Sequence, residues 1–223
     1  MSVAAVVLAA GSGTRMRSQV PKAFIEVGGR SLLHWSVGAL ASAPSVDAVH
    51  CVVPAGHEAE IDPLRAAWGA LGRLLEAIPG GATRQASVRA GLAAVRAEWV
   101  LIHDAARCFV EARDAEQVVV AARETGAAIP VIPLSDTVKE VDGDRVIQTF
   151  DRERLVQVQT PQAFRTSVLR EAHEKAERDG FEGTDCASLV ERIGVTVRTC
   201  PGRPENWKLT WPEDLERARE RLG

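Results

Sequence analysis

A single α/β domain built on a mainly parallel, twisted sheet flanked by helices is predicted by three features of the sequence. Residues 3–10, VAAVVLAA, are a continuous short apolar run, the pattern of a strand covered on both faces. Short runs of this kind then alternate with helix-length segments as far as residue 103, the order that gives right-handed crossovers and parallel pairing. The first run also passes directly into a glycine-rich cationic loop, and ligands of such sheets belong at the carboxyl ends of the strands.

The loop comes first in the chain. Gly11 and Gly13 let the backbone turn sharply and bring its N–H groups close to a ligand, while Arg15, Arg17 and Lys22 place cations around them, a combination suited to a triphosphate. Two familiar phosphate motifs do not fit. Met16 stands where the third glycine of GxGxxG belongs, and no Gly-Lys-Ser/Thr follows Gly11. Beyond the loop, Ser31 is placed to cap a helix reaching about residue 42, and 46–53 reads as a strand closed by Pro54. Residues 56–70 read as a helix and 74–78 as a short apolar strand. Thr83 caps a helix to about residue 97, and 99–103 is a strand with HDAARC at its carboxyl end.

After Ile132 the alternation breaks. DTVKEVDGDRVIQTF reads as two alternating strands around Asp142-Gly143-Asp144, a protruding hairpin arm over about 134–152. An isolated hairpin is marginal in water, so the arm should pack outside the main sheet, for instance on another copy of itself. Residues 165–179 read as a charged surface helix and 185–193 as a second helix capped by Thr184, followed by a strand over 195–200. Thr210 and Glu213 have capping-box spacing, which starts the last helix at 212–222.

Composition narrows the function classes. The 223 residues carry a formal net charge of -3, so no overall basic field favours nucleic acid or an anionic membrane, and an anion must be held by a local cluster. Cys51, Cys108, Cys186 and Cys200 lack CxxC spacing and the five histidines form no HExxH pair, which argues against zinc and a disulfide framework. No apolar run approaches the roughly 20 residues that cross a bilayer. The apolar start lacks a basic n-region and runs straight into the glycine loop, which points to a strand and a cytoplasmic protein.

The string LAAGSGTRM followed by PKAF resembles the signature loop of the sugar-nucleotidyltransferase superfamily, and most closely that of the 2-C-methyl-D-erythritol 4-phosphate cytidylyltransferase family, which uses CTP in the non-mevalonate isoprenoid pathway. Five further stretches resemble the same family: GGATRQASVRAGL from Gly80, HDAARC from His103, DTVK from Asp136, TPQAF from Thr160, and NWKLT from Asn206 before PEDL. The resemblance therefore covers the chain nearly end to end, as one nucleotidyltransferase domain with a Rossmann-like sheet and a dimerisation arm. It implies attack of a sugar-phosphate oxygen on the α-phosphorus of CTP with release of pyrophosphate. That nucleophile is already ionised at neutral pH, so cations rather than a general base carry the catalytic task.

By this resemblance Arg15 and Lys22 grip the triphosphate and Lys208 meets the α-phosphate from the other side. Only four lysines occur, Lys22, Lys139, Lys175 and Lys208, and two of them fall in these motifs. A compact ammonium acts as a point charge that arginine does not replace equally well. The same resemblance implies that cytosine is read by backbone groups at Ala9, Ala10 and Gly11, by Gly81 and by Ser87, with Gly13 in the phosphate loop. Asp104 follows a buried strand and could hold magnesium (Mg2+) with the phosphates, or a substrate hydroxyl; one carboxylate plus phosphates is enough for that ion. Asp104, Arg107, Thr137, Arg152, Thr160 and Thr184 resemble the contacts to the methylerythritol phosphate acceptor, with those of the arm reaching a partner in a homodimer. The family normally has proline after DAAR, where this chain has Cys108. Three rivals remain open: a cytidylyltransferase for ribitol 5-phosphate or a related polyol phosphate, a nucleotide-binding regulatory module without turnover, and a dehydrogenase.

Overall fold

A computed structural model describes residues 2–11, 13–16, 18, 20–68 and 73–222. Arg17 and the last two residues of the helix expected over 56–70 lie outside them. In chain order the elements are strand β1 (Val3–Leu8), the short pair β2 (Glu26–Val27) and β3 (Arg30–Ser31), helix α1 (Leu32–Ala41), β4 (Ala48–Val53), α2 (Asp62–Trp68), β5 (Leu74–Pro79), α3 (Arg84–Ala94) and β6 (Trp99–Asp104). There follow α4 (Ala112–Ala122), β7 (Ala127–Pro133), β8 (Lys139–Asp142), β9 (Arg145–Thr149), β10 (Val156–Val158), β11 (Gln162–Arg165), α5 (Thr166–Arg178), α6 (Cys186–Arg192), β12 (Arg198–Pro201) and α7 (Pro212–Leu222).

The expected sheet is present and mainly parallel. Strands β5, β4, β1 and β6 lie side by side and all run in the same direction. β11 then inserts antiparallel between β6 and β7, β10 pairs antiparallel with the end of β7, and β12 runs parallel along its other edge. The two-sided burial of β1 explains its unbroken apolar run. Val3, Ala5 and Val7 join a core with Leu33, Val37 and Leu40 of α1 and Val118 of α4. Ala4 and Val6 face the opposite layer, formed by Val88 and Leu92 of α3 and Leu169 and Ala172 of α5. α3 lies close on the sheet because Gly91 has no side chain: a Cβ there would meet Val6 Cγ1 at 2.5 Å and Val52 Cγ2 at 3.0 Å.

Several local expectations change. The helix over 56–70 is a 3-10 turn at Glu58–Ile61 leading into α2. α3 stops at Ala94, three residues early, with Val95 already extended. α5 is not a surface helix all round, because Leu169, Ala172, His173 and Ala176 are buried along one face while its charges occupy the other. The cap of α6 is Asp185, whose carboxylate accepts from the Ser188 N–H at 2.9 Å, rather than Thr184. At α7 the carboxylate that reaches back is Asp214, accepting from the N–H groups of Thr210 at 2.7 Å and Trp211 at 2.9 Å, rather than Glu213. β8 and β9 form the predicted hairpin as a separate two-stranded sheet. Val141, Val146, Ile147 and Phe150 leave its apolar surface exposed.

Candidate active site

The site lies where β1 and β6 end. The chain leaves β1 through Ala9, Ala10 and Gly11, held by the Ala9 N–H on the Val52 carbonyl at 2.7 Å, and Ala105 after β6 donates to Leu8 O at 3.0 Å. These loops, with Gly81 and the first turn of α3, enclose a cavity of about 410 Å³ lined also by Gly13, Arg15, Lys22, Ser87, Asp104 and Lys208. Gly13 has φ +59°, and a Cβ there would meet the Lys22 Cβ at 2.6 Å, so only glycine lets the loop close on that lysine. Ser87 is buried and its Oγ accepts from the Gly81 N–H at 3.2 Å, which fixes the backbone expected to face a pyrimidine. Thr83 caps α3 as expected, accepting from the Ala86 N–H at 3.1 Å.

A second cavity of about 400 Å³ opens on the other side of Asp104. Arg107, Thr160, Gln162, Thr184 and Asp185 line it, and it shares Arg84, Asp104 and Lys208 with the first. Those three residues form the partition between the bays. Arg84 donates to Asp104 Oδ1 from Nε at 3.2 Å and from Nη2 at 3.1 Å, and Lys208 Nζ donates to Oδ2 at 2.7 Å. Burial alone would push the Asp104 carboxyl up, but the Arg84 and Lys208 charges outweigh it and hold the group well below the usual carboxylate range. The backbone is fixed as well. The Asp104 N–H donates to Thr160 Oγ1 at 3.1 Å, that hydroxyl lies 3.0 Å from His103 Nδ1, and Asn206 Nδ2 donates to Thr160 O at 2.9 Å. TPQAF, HDAARC and NWKLT thus meet at one point.

Lys22 donates to the carbonyl of Leu209, so the glycine loop is tied to the stretch after Lys208. Burial, and then the neighbouring charges of Lys208 and Arg15, lower the Lys22 ammonium to about 8, against the opposing pull of Asp214 and Asp104. Arg107 reaches the second bay, and two of its N–H groups go to the carbonyls of Asn206 at 2.9 Å and Val158 at 3.0 Å, so it also braces the walls. Cys108 is buried with Val27, Leu32, Phe109 and Leu209. Thr137 and Arg152 stand apart at the base of the arm and line neither bay. Arg152 donates to Ser135 O at 2.6 Å.

Arg84 is the residue that sequence reasoning passed over, although it stands within GGATRQ. A signal was present: a cation in the first turn of a helix opposes the helix dipole and calls for an anionic partner, here Asp104. Gln162, which donates to Asp185 Oδ2 at 2.7 Å, was likewise unread.

Residues 3–223 match the family described as 2-C-methyl-D-erythritol 4-phosphate cytidylyltransferase. The chain belongs to that family. A cytidylyltransferase of this name from Geobacillus thermodenitrificans is 44% identical over 216 residues, covering 96% of this chain and 94% of the relative. A bifunctional enzyme IspD/IspF from a Bradyrhizobium species is 46% identical over 99% of this chain, which spans only 56% of that longer protein. Among solved structures, the 2-C-methyl-D-erythritol 4-phosphate cytidylyltransferase of Thermus thermophilus has a TM-score of 0.83 at 38% identity, covering 100% of this chain and 99% of its own. The resemblance expected from the motifs is borne out, and with it the family's sheet architecture.

Proposed function

We propose that this chain transfers the cytidylyl group of CTP to 2-C-methyl-D-erythritol 4-phosphate, giving 4-diphosphocytidyl-2-C-methyl-D-erythritol and pyrophosphate. The observation that carries the reading is the partition: two bays of similar size share Lys208 and Asp104, so a nucleotide in one and a phosphate monoester in the other would meet at a common cation. In the first bay the backbone of Ala9, Ala10, Gly11 and Gly81 and the Ser87 hydroxyl read the base, while Gly13, Arg15 and Lys22 take the triphosphate. In the second, Arg107, Thr160 and Thr184 take the acceptor.

The acceptor's ionised phosphate oxygen attacks the α-phosphorus. A new P–O bond forms there as the bond to the bridging oxygen of the β-phosphate breaks, and that electron pair leaves on pyrophosphate. No proton need be removed from the nucleophile. What the chain supplies is alignment of two anions and positive charge around the reacting group. Lys208 touches both bays and offsets the repulsion between nucleophile and nucleotide, while Arg15 and Lys22 face the departing charge. Arg84 keeps Asp104 ionised, and Asp104 holds Lys208 in place between the bays.

Magnesium fits this donor set. Asp104 is ionised, and its Oδ2 accepts only from Lys208 among the described residues, leaving an acceptor position. No group of three or more metal-ligating side chains is found among those residues, so the ion would rest mainly on the CTP phosphates with Asp104 as its protein oxygen. When bound it offsets triphosphate charge.

The active species is a homodimer, in which Thr137 and Arg152 at the arm base serve the neighbouring acceptor bay. The exposed Val141, Val146, Ile147 and Phe150 of the arm, beside exposed Val156 and Val158 of β10, support this. The compartment is the cytoplasm, a reading supported by four free, buried cysteines. Among the described residues no helix is long and apolar enough to cross a membrane. Pyrophosphate release tests the proposal: it should require CTP, the acceptor and magnesium together, and release without acceptor would contradict it.

A further inference from the structure

Residues 208–211 handle three of the four cations that line the first bay, all but Arg84. Lys208 is one of them, the Leu209 carbonyl accepts from Lys22, and the Arg15 guanidinium lies over the Trp211 indole, 5.6 Å from the ring centroid. Trp211 has a firm base, because its N–H and that of Thr210 both donate to Asp214 Oδ2, at 2.9 and 2.7 Å. The residue is nevertheless 54% exposed, so core packing does not account for a tryptophan there. Arg15 itself has a long, rotamer-rich and exposed side chain, and the Lys22 charge repels it. Left unheld, it would spend its time in solvent away from the bay.

We infer that Trp211 is a positioning residue for the nucleotide: its indole face holds the Arg15 guanidinium at the rim of the bay, so that a triphosphate meets an assembled set of cations. The inference rests on the reading of this bay as the CTP site. Trp211 touches neither reacting atom and acts through Arg15. Its removal should therefore cost nucleotide affinity, and leave the acceptor and the chemical step alone.

The magnitude is set by an exposed cation–π contact. Trp211→Ala should raise the Kd for CTP, and the KM for CTP, about two- to five-fold, with kcat at saturating CTP and the KM for the acceptor unchanged within error. Trp211→Phe, which keeps an aromatic face, should recover most of the affinity, and Trp211→Leu, similar in bulk but without a π-system, should not. On an Arg15→Gln background Trp211→Ala should add no further loss, since the two residues act as a unit.

The full-length protein suffices for these measurements, with calorimetric titration of CTP in magnesium and steady-state pyrophosphate release. If Trp211→Ala is too unstable to assay, the Phe and Leu variants decide the matter between them. Wild-type protein that binds no CTP would overturn the assignment of the bay and this inference with it. Wild-type protein that binds CTP, alongside Trp211 variants of equal or tighter affinity, or variants that weaken the acceptor equally, would overturn this inference alone.

Discussion

Raising the pH through the range in which Lys22 loses its proton should weaken CTP binding. Burial chiefly, with Lys208 and Arg15 adding to it, brings this ammonium down to about 8 in the free protein. The cationic form is the one that holds a triphosphate, so affinity is full below that value and falls above it. A bound polyanion raises the lysine's pKa again, so binding above pH 8 takes up a proton. At pH 9 only about a tenth of the free protein carries the Lys22 charge, so the Kd for CTP should rise roughly ten-fold between pH 7 and pH 9 if the neutral form binds weakly. Calorimetric titration in magnesium, repeated in two buffers of different ionisation heat, gives both Kd and proton uptake. Lys22→Arg stays charged throughout and should show a flat profile. A wild-type Kd that does not change over this range, or an arginine variant with the same alkaline limb, would refute the reasoning.

Four further outcomes follow from the site. Lys208→Ala should lower kcat on the order of 10²-fold while the circular dichroism spectrum stays native, as befits a contact strengthened in the transition state; near-normal turnover would show the assignment to be wrong. Arg84→Met removes two charge-assisted bonds from a buried carboxylate and should cost about 2–4 kcal/mol. That loss should read as a melting temperature lower by about 5–12 °C, and an unchanged melting temperature would mean Asp104 needs no such partner. Excess chelator should abolish pyrophosphate release, with recovery on adding magnesium, and full activity in chelator would contradict a role for the ion. Lys22→Ala and Arg152→Ala homodimers should each be nearly inactive, yet regain activity on mixing, because one site of the mixed dimer receives both lesions and the other none; exchanged heterodimers without activity would place Arg152 in its own chain's site.

The half of the fold that carries the nucleotide bay was legible because its elements are locally consistent. A continuous apolar run gave β1, Ser31 and Thr83 gave the starts of α1 and α3, and Asp142-Gly143-Asp144 gave the arm. The second half was harder. β11 is only Gln162–Arg165, too short for any periodicity, and it runs antiparallel between two strands far from it in sequence. α4 and β7 are absent from the expected elements, although at the start of α4 the Asp114 carboxylate accepts from the Glu111 N–H at 2.9 Å in a capping box. The caps of α6 and α7 each missed by one residue, since which carboxylate reaches an N–H depends on side-chain direction rather than on spacing. Arg15, Lys22 and Lys208 could be named from motifs. The Arg84–Asp104–Lys208 partition could not, because it joins residues 20 and 104 positions apart through a buried ion network.

On the proposed function, this chain should move a cytidylyl group, and no other, onto methylerythritol phosphate. The most direct test is kcat/KM from pyrophosphate release with CTP, UTP, ATP and GTP against this acceptor, and with CTP against ribitol 5-phosphate. CTP with methylerythritol phosphate should exceed every other pair by at least about ten-fold, the selectivity expected when a site hydrogen-bonds one base and one polyol. Equal turnover with UTP would contradict the reading of the first bay, and equal turnover of ribitol 5-phosphate would contradict that of the second.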